Sequence, residues 1–208
     1  MIDSLNSLLR LMEGNKRFLI GDTRISSLTN QARRLEVAGD QKPFAIILGC
    51  ADSRVPAEVI FDQGLGDLFV IRIAGNIIAP SQIGSVEFAA GYFGTPLVVV
   101  LGHSFCGAVQ ATLDEVTGKS SNISKNLASI TNRIKPAVEY VLLKSDCQDP
   151  FYLLREAVRE NIRRSVQNLC NGSEIITDLI NQKQLLVVGA EYFLETGEVD
   201  FFEGIPAF

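Results

Sequence analysis

Positive charge is scarce in this chain, with 19 Lys and Arg against 24 Asp and Glu and a net charge of −5. Proteins that bind nucleic acid gather basic side chains on one face, so the composition argues against that partner. Long apolar runs are missing too. No stretch reaches the roughly 20 residues that cross a bilayer. Met1-Ile2-Asp3-Ser4 puts an acid ahead of any base, and no apolar run of signal length follows. The expectation is a cytoplasmic protein with neither nucleic acid nor membrane as partner. Cysteine is sparse and irregular, at positions 50, 106, 147 and 170, unlike the framework of a secreted disulfide scaffold. In a reducing compartment these thiols stay free for metal or catalysis. Cys147 and Cys170 read as small apolar fillers or helix-end residues. Histidine occurs once, at position 103. Repeats, low-complexity tracts and linkers do not stand out.

What the chain does have is apolar bulk. Its 208 residues are 47% hydrophobic and 21% charged, enough for one sizeable core and short for two. Leu5, Leu8, Leu9, Met12 and Phe18 recur at helical spacing, which predicts an amphipathic helix near 3–19 that needs a groove to lie in. A second helical piece is expected near 29–38, closed by the Gly39–Pro43 turn. Phe44–Gly49 is then apolar at nearly every position, as a strand buried on both faces of a parallel sheet requires. The same signature returns in Leu68–Ala74, Leu97–Leu101 and Leu185–Val188. Helices are predicted between them near 57–62, 81–93 and 106–117, and after them at 124–144, 150–171 and 174–182. Glu195-Thr196-Gly197-Glu198 separates two apolar-aromatic pieces and predicts a hairpin with a C-terminal edge strand. The class is α/β: a mostly parallel central sheet of about four parallel strands plus an antiparallel edge strand, flanked by helices. Arg155, Arg159, Arg163 and Arg164, interleaved with Glu156 and Glu160, read as the solvated face of the 150–171 helix.

The chemistry gathers at two strand ends. Ligands of such sheets sit beyond the carboxyl ends of the strands, where Cys50 and His103 both fall. His103 and Cys106, three apart, can reach one ion as the chain enters the next helix, and Cys50 supplies a third donor from the neighbouring strand. Two thiolates and an imidazole with one position open suit a catalytic zinc, because structural sites are usually filled by four Cys or His ligands. Asp52 and Arg54, two apart on an extended segment, face one way and predict a carboxylate–guanidinium pair beside the metal. Zinc with two thiolates carries no net charge, so its water is harder to ionise than on three imidazoles. A carboxylate at Asp52 can accept a hydrogen bond from zinc-bound hydroxide, or instead bind the zinc and close the open position; pairing with Arg54 would decide between the two.

Cys50-Ala51-Asp52-Ser53-Arg54-Val55-Pro56, Asp67–Arg72, Ala74-Gly75-Asn76 and His103-Ser104-Phe105-Cys106-Gly107 resemble, in order and spacing, the motifs of the β-class carbonic anhydrases. With Glu13–Phe18 and the closing hairpin, the likeness spans nearly the whole chain. The resemblance implies a single domain over 1–208, with an N-terminal helical arm (1–38), a zinc-site half (43–117) and a helical segment with C-terminal strands (120–208). It implies Zn2+ on Cys50, His103 and Cys106, Asp52 and Arg54 as the catalytic pair, and reversible hydration of carbon dioxide to bicarbonate by zinc-bound hydroxide. A homodimer or dimer-of-dimers is implied, with the N-terminal helices extending onto the partner subunit. By position, Gln41 is similar to the family's substrate-side amide donor and Phe69 to the aromatic residue lining its pocket. Phe88 falls where plant-like members have Tyr, and Gly107 closes the second motif on the substrate side. Ile73 replaces an Asn common after Arg72. Ile47 stands where some bacterial members have the Trp of a second, inhibitory bicarbonate site, so that regulation is not expected although Arg72 matches. Two other readings stay open: hydrolysis of carbonyl sulfide or carbon disulfide by the same ligands, and a non-catalytic zinc or redox-sensing protein.

Overall fold

The computed structural model describes residues 3–120, 123–147 and 149–206. Helix α1 (Ser4–Ile20) starts at Asp3, whose carboxylate accepts from the Asn6 N–H at 2.8 Å, and stops at Gly21 in the left-handed conformation. Short helices α2 (Ile25–Leu28) and α3 (Gln31–Glu36) follow; α3, capped by Asn30, is the piece expected near 29–38, and α2 precedes it as an additional turn of helix. The rest of the chain alternates: β1 (Ala45–Gly49), α4 (Ala57–Ile60), β2 (Leu68–Arg72), a 3-10 turn (Ala74–Asn76), α5 (Pro80–Tyr92), β3 (Leu97–His103) and α6 (Gly107–Val116). Then come α7 (Lys125–Lys144), α8 (Pro150–Asn171), α9 (Glu174–Asn181), β4 (Leu186–Tyr192) and β5 (Val199–Glu203).

The described strands form one five-stranded sheet in the order β2-β1-β3-β4-β5, parallel except for the antiparallel β4–β5 hairpin. Alternate side chains of the same apolar runs build two cores. Ile46, Leu48, Cys50, Val98 and Val100 face the layer of α5 to α9, while Ala45, Ile47, Leu97, Val99 and Leu101 face α1 and α4. That is why these strands are apolar without alternation.

Three expectations need correction, and the groove that α1 needs is found. β2 is an edge strand, half-buried over most of its length, and it ends at Arg72, before Ala74; apolarity alone does not distinguish a strand covered on both faces from one at the rim. The groove for α1 lies in the chain itself: Leu8 and Leu11 are fully buried against α4 and the sheet. Asn15 completes the seat by bonding Ile60 O, Gly197 O and the Val199 N–H. Leu5, Leu9, Leu19 and Ile20 are the large apolar residues that α1 leaves exposed. The arginines of α8 are not simply solvated. Arg159 bridges buried Glu191 (3.1 Å) and Asp200 (2.9 Å) and lies 3.7 Å over the Phe202 ring, pinning α8 to the hairpin. Lastly, Cys170 packs at the end of α8 as expected, but Cys147 is exposed and fills no core.

Candidate metal centre

Cys50 ends the face of β1 that carries Ile46 and Leu48, so its side chain enters the core beneath α6. His103 is the last residue of β3, one register step beyond the buried Gly102, and it is fully buried. Cys106 is the residue from which α6 starts, 1% exposed. Between them Phe105 holds a left-handed φ of 54°, a conformation that costs a non-glycine residue on the order of 1 kcal/mol or more. That bend turns the chain from strand to helix within three residues. Ser104 fixes it: its N–H donates to Tyr192 O, its hydroxyl donates to Glu195 at 2.6 Å, and Leu194 N–H donates to that hydroxyl.

The donor atoms of Cys50, His103 and Cys106 all lie within 4.8 Å of one another. His103 Nδ1 sits 2.9 Å from Ser104 O, an arrangement that puts the ring proton on Nδ1 and leaves a lone pair on Nε2. Nε2 is buried and has no hydrogen-bond partner among the described residues. The neighbouring Cys106 thiol lowers Cys50 against the opposing effect of burial, while Cys50 and burial together raise Cys106. An orphaned imidazole lone pair beside two thiols with one easily lost proton is a donor set that fits a metal ion.

Around the triad the backbone is clamped. The Gly75 N–H points at Cys50 Sγ, 3.3 Å away, from a turn in which Gly75 has φ 70° and a Cβ would lie 2.7 Å from Ile134 Cδ1. α8 holds that turn through two buried polar side chains, Asn161 Nδ2 to Gly75 O (2.9 Å) and Ser165 Oγ to Asn76 O (3.1 Å). Arg72 donates to Cys50 O at 3.1 Å and to Asp52 O. Sequence reasoning missed Asn161, Ser165 and Ser104. A polar residue inside the apolar stripe of α8 was the available signal for the first two.

Asp52 and Arg54 pair as expected. Arg54 Nε and its backbone N–H both donate to Oδ1 at 2.9 Å, and Nη2 donates to Oδ2 at 2.8 Å. These bonds hold the Asp52 carboxyl well below the usual carboxylate range. Oδ2 lies 3.8 Å from His103 Nε2, which puts the carboxylate at the edge of the donor cluster. The pair is open to solvent on the Arg54 side, where the guanidinium side chain is 56% exposed.

The remaining candidates, Gln41, Phe69, Phe88 and Gly107, form no single cluster. Gln41 is exposed on a surface cavity with Arg34, Val37 and Phe93, and its backbone N–H donates to Asp40. Phe69 and Phe88 lie 6.3 Å apart, each against Phe93, with Phe88 stacked on exposed Tyr92. No hydrogen bond among the described residues joins this group to the metal donors. Gly107 opens α6 next to Cys106, with free space where a Cβ would stand.

A sequence model of the carbonic anhydrase family matches residues 45–199, a span that contains every residue of the triad and the Asp52–Arg54 pair. The chain belongs to the β-carbonic anhydrase family. It is 39% identical over 187 residues to "Carbonic anhydrase 2" of Mycobacterium tuberculosis, covering 90% of this chain and 87% of that protein. The solved β-carbonic anhydrase CcaA superposes with a TM-score of 0.74 at 28% identity, over 96% of this chain and 92% of that one. A tetrameric β-carbonic anhydrase of Sordaria macrospora shares the fold, with a TM-score of 0.75 at 24% identity over 83% and 87% of the two chains. The family's α/β architecture, with an antiparallel C-terminal strand on a parallel sheet, is thus the one found here. Among the described residues no helix is long and apolar enough to cross a membrane.

Proposed function

We propose that this carbonic anhydrase holds Zn2+ on Cys50, His103 and Cys106 and interconverts carbon dioxide and bicarbonate. The observation that carries the reading is the buried triad with its unpartnered His103 Nε2, set within 3.8 Å of a carboxylate that Arg54 grips at both oxygens. Zinc, when bound, supplies a Lewis acid that makes water nucleophilic at neutral pH. The remaining work belongs to the chain. Asp52, kept ionised by Arg54, is an acceptor only, so it takes the hydrogen bond of the nucleophilic water and turns the lone pair toward carbon. Its engagement with Arg54 through both oxygens supports the open state over one in which Asp52 itself ligates the metal. The structural-zinc alternative is disfavoured by the absence, among the described residues, of a fourth Cys or His in the donor cluster.

The relatives bear on assembly as well. The half-buried edge strand β2, the exposed Phe88 and Tyr92 and the exposed residues of α1 support a homo-oligomer, as in the tetrameric Sordaria enzyme. In that assembly the N-terminal helices reach the partner through Leu5, Leu9 and Ile20, and Gln41, Phe69, Phe88 and Gly107 serve the substrate side. A cytoplasmic setting accords with four free thiols. Stopped-flow hydration of carbon dioxide by the zinc-loaded chain, run beside sulfide release from carbonyl sulfide, tests the reaction. Faster hydration supports this reading, and faster sulfide release replaces it with the hydrolase of small sulfur electrophiles.

A further inference from the structure

A cavity of about 340 Å3 opens beside the Ser104–Phe105 loop, between the start of α8 and the ends of β4 and the hairpin. It lies within the size range of small-ligand sites. One wall is Glu191, on the β4 face that meets α8. This side chain is 1% exposed, and only Oε2 is engaged, by Arg159 at 3.1 Å. Oε1 is buried with no hydrogen-bond partner among the described residues. An unpaired carboxylate oxygen in a buried site is costly, and a donor from outside relieves that cost. Phe105, Phe151, Tyr152 and Phe193 supply aromatic walls, of which Phe151 and Phe105 stay largely exposed.

The charges select the guest. Asp149 and Glu195 add two more carboxylates to the lining, and Arg155, the one lining cation among the described residues, lies 3.4 Å from Glu156 Oε1. Anions are therefore repelled, whereas a cation gains both the carboxylate and the faces of the rings. We propose that this cavity binds a small organic ammonium ion, its N–H donated to Glu191 Oε1 and its apolar body held among the aromatic side chains. The lining includes none of Cys50, His103 and Cys106, so binding there does not depend on a metal. A guest there touches Phe105, inside the loop that joins two of those donors.

Titration calorimetry of the zinc-loaded full chain with benzylammonium, and with benzyl alcohol as a neutral counterpart of similar shape, tests the assignment. Benzylammonium is expected to bind one per chain and at least about tenfold more tightly than the alcohol. Glu191→Gln should weaken it by about tenfold or more, because the exchange removes the charge-assisted bond at nearly constant shape. Arg159 retains Asp200 at 2.9 Å in that variant. Phe151→Ala, at a side chain 73% exposed and so harmless to folding, should weaken it about threefold through the lost ring; that variant decides the matter if Glu191→Gln does not fold. Absence of benzylammonium binding, equal affinity for the alcohol, or unchanged affinity in both variants, as for a probe seated on the metal, would overturn the proposal.

Discussion

Asn161→Ala removes one hydrogen bond 86 residues away in sequence from the carbonyl it serves, and the consequence should reach the metal. Asn161 is 2% exposed on α8, and its Nδ2 donates to Gly75 O at 2.9 Å. Without it that buried carbonyl has no side-chain donor, a loss of about 2 kcal/mol within the usual range for an orphaned buried group. For a chain of this length such a loss lowers the melting temperature by about 4–8 °C. The second effect is the informative one. The Gly75 N–H aims at Cys50 Sγ, so a loosened turn gives up a donor that stabilises the thiolate, and metal affinity should fall by about tenfold or more. Thermal denaturation together with zinc competition against a chromophoric chelator measures both. A lowered melting temperature with metal affinity unchanged would refute the idea that α8 positions the ligand through this turn, and would leave Asn161 as a packing residue.

Arg54→Ala should leave zinc bound while hydration falls by about a hundredfold, the usual scale for losing a positioned proton-transfer group; full activity by stopped-flow assay would show that Arg54 does not control Asp52. Since the only histidine has its Nε2 in the donor cluster, no imidazole remains to export the proton. Turnover should therefore climb with imidazole-type buffer, and a flat response at saturating carbon dioxide would contradict that. Burial raises the Glu191 carboxyl above its ordinary value, with Asp200 adding to the rise and Arg159 and Arg155 opposing it. The folded chain then keeps a proton that the unfolded chain has lost, so this residue's contribution to stability declines as pH rises through that interval. Urea midpoints measured from about pH 4 to about pH 8 should fall less steeply with pH in Glu191→Gln than in the parent, and equal slopes would count against the shift.

The parts of the fold that were legible in the sequence are those written in local periodicity. The apolar runs of β1 and β3, the stripe of α8 and the turn before β5 are each contained in a few consecutive residues. The Cys-His-Cys cluster was legible for the same reason, since Cys50 stands in one short motif and His103 and Cys106 in another. What escaped is non-local. Whether Leu68–Arg72 lies inside the sheet or at its rim depends on strand order, to which its own composition is indifferent. Arg159 looks like any helix-surface arginine until β4 and β5 bring Glu191 and Asp200 to it. Asn161 and Ser165 gain meaning only because α8 crosses the Gly75 turn. Gln41 and Phe69 both come to lie near Phe93, a neighbourhood that spacing along the chain does not encode.

The proposed activity requires Cys50, His103 and Cys106 to act together as metal ligands. Elemental analysis of zinc per chain in the parent and in Cys50→Ser, after dialysis against a mild chelator, tests this directly. About one zinc per chain in the parent and a small fraction of that in the variant is the expected result, because three donors are the fewest that hold a catalytic zinc. Zinc retained in full by Cys50→Ser would contradict it.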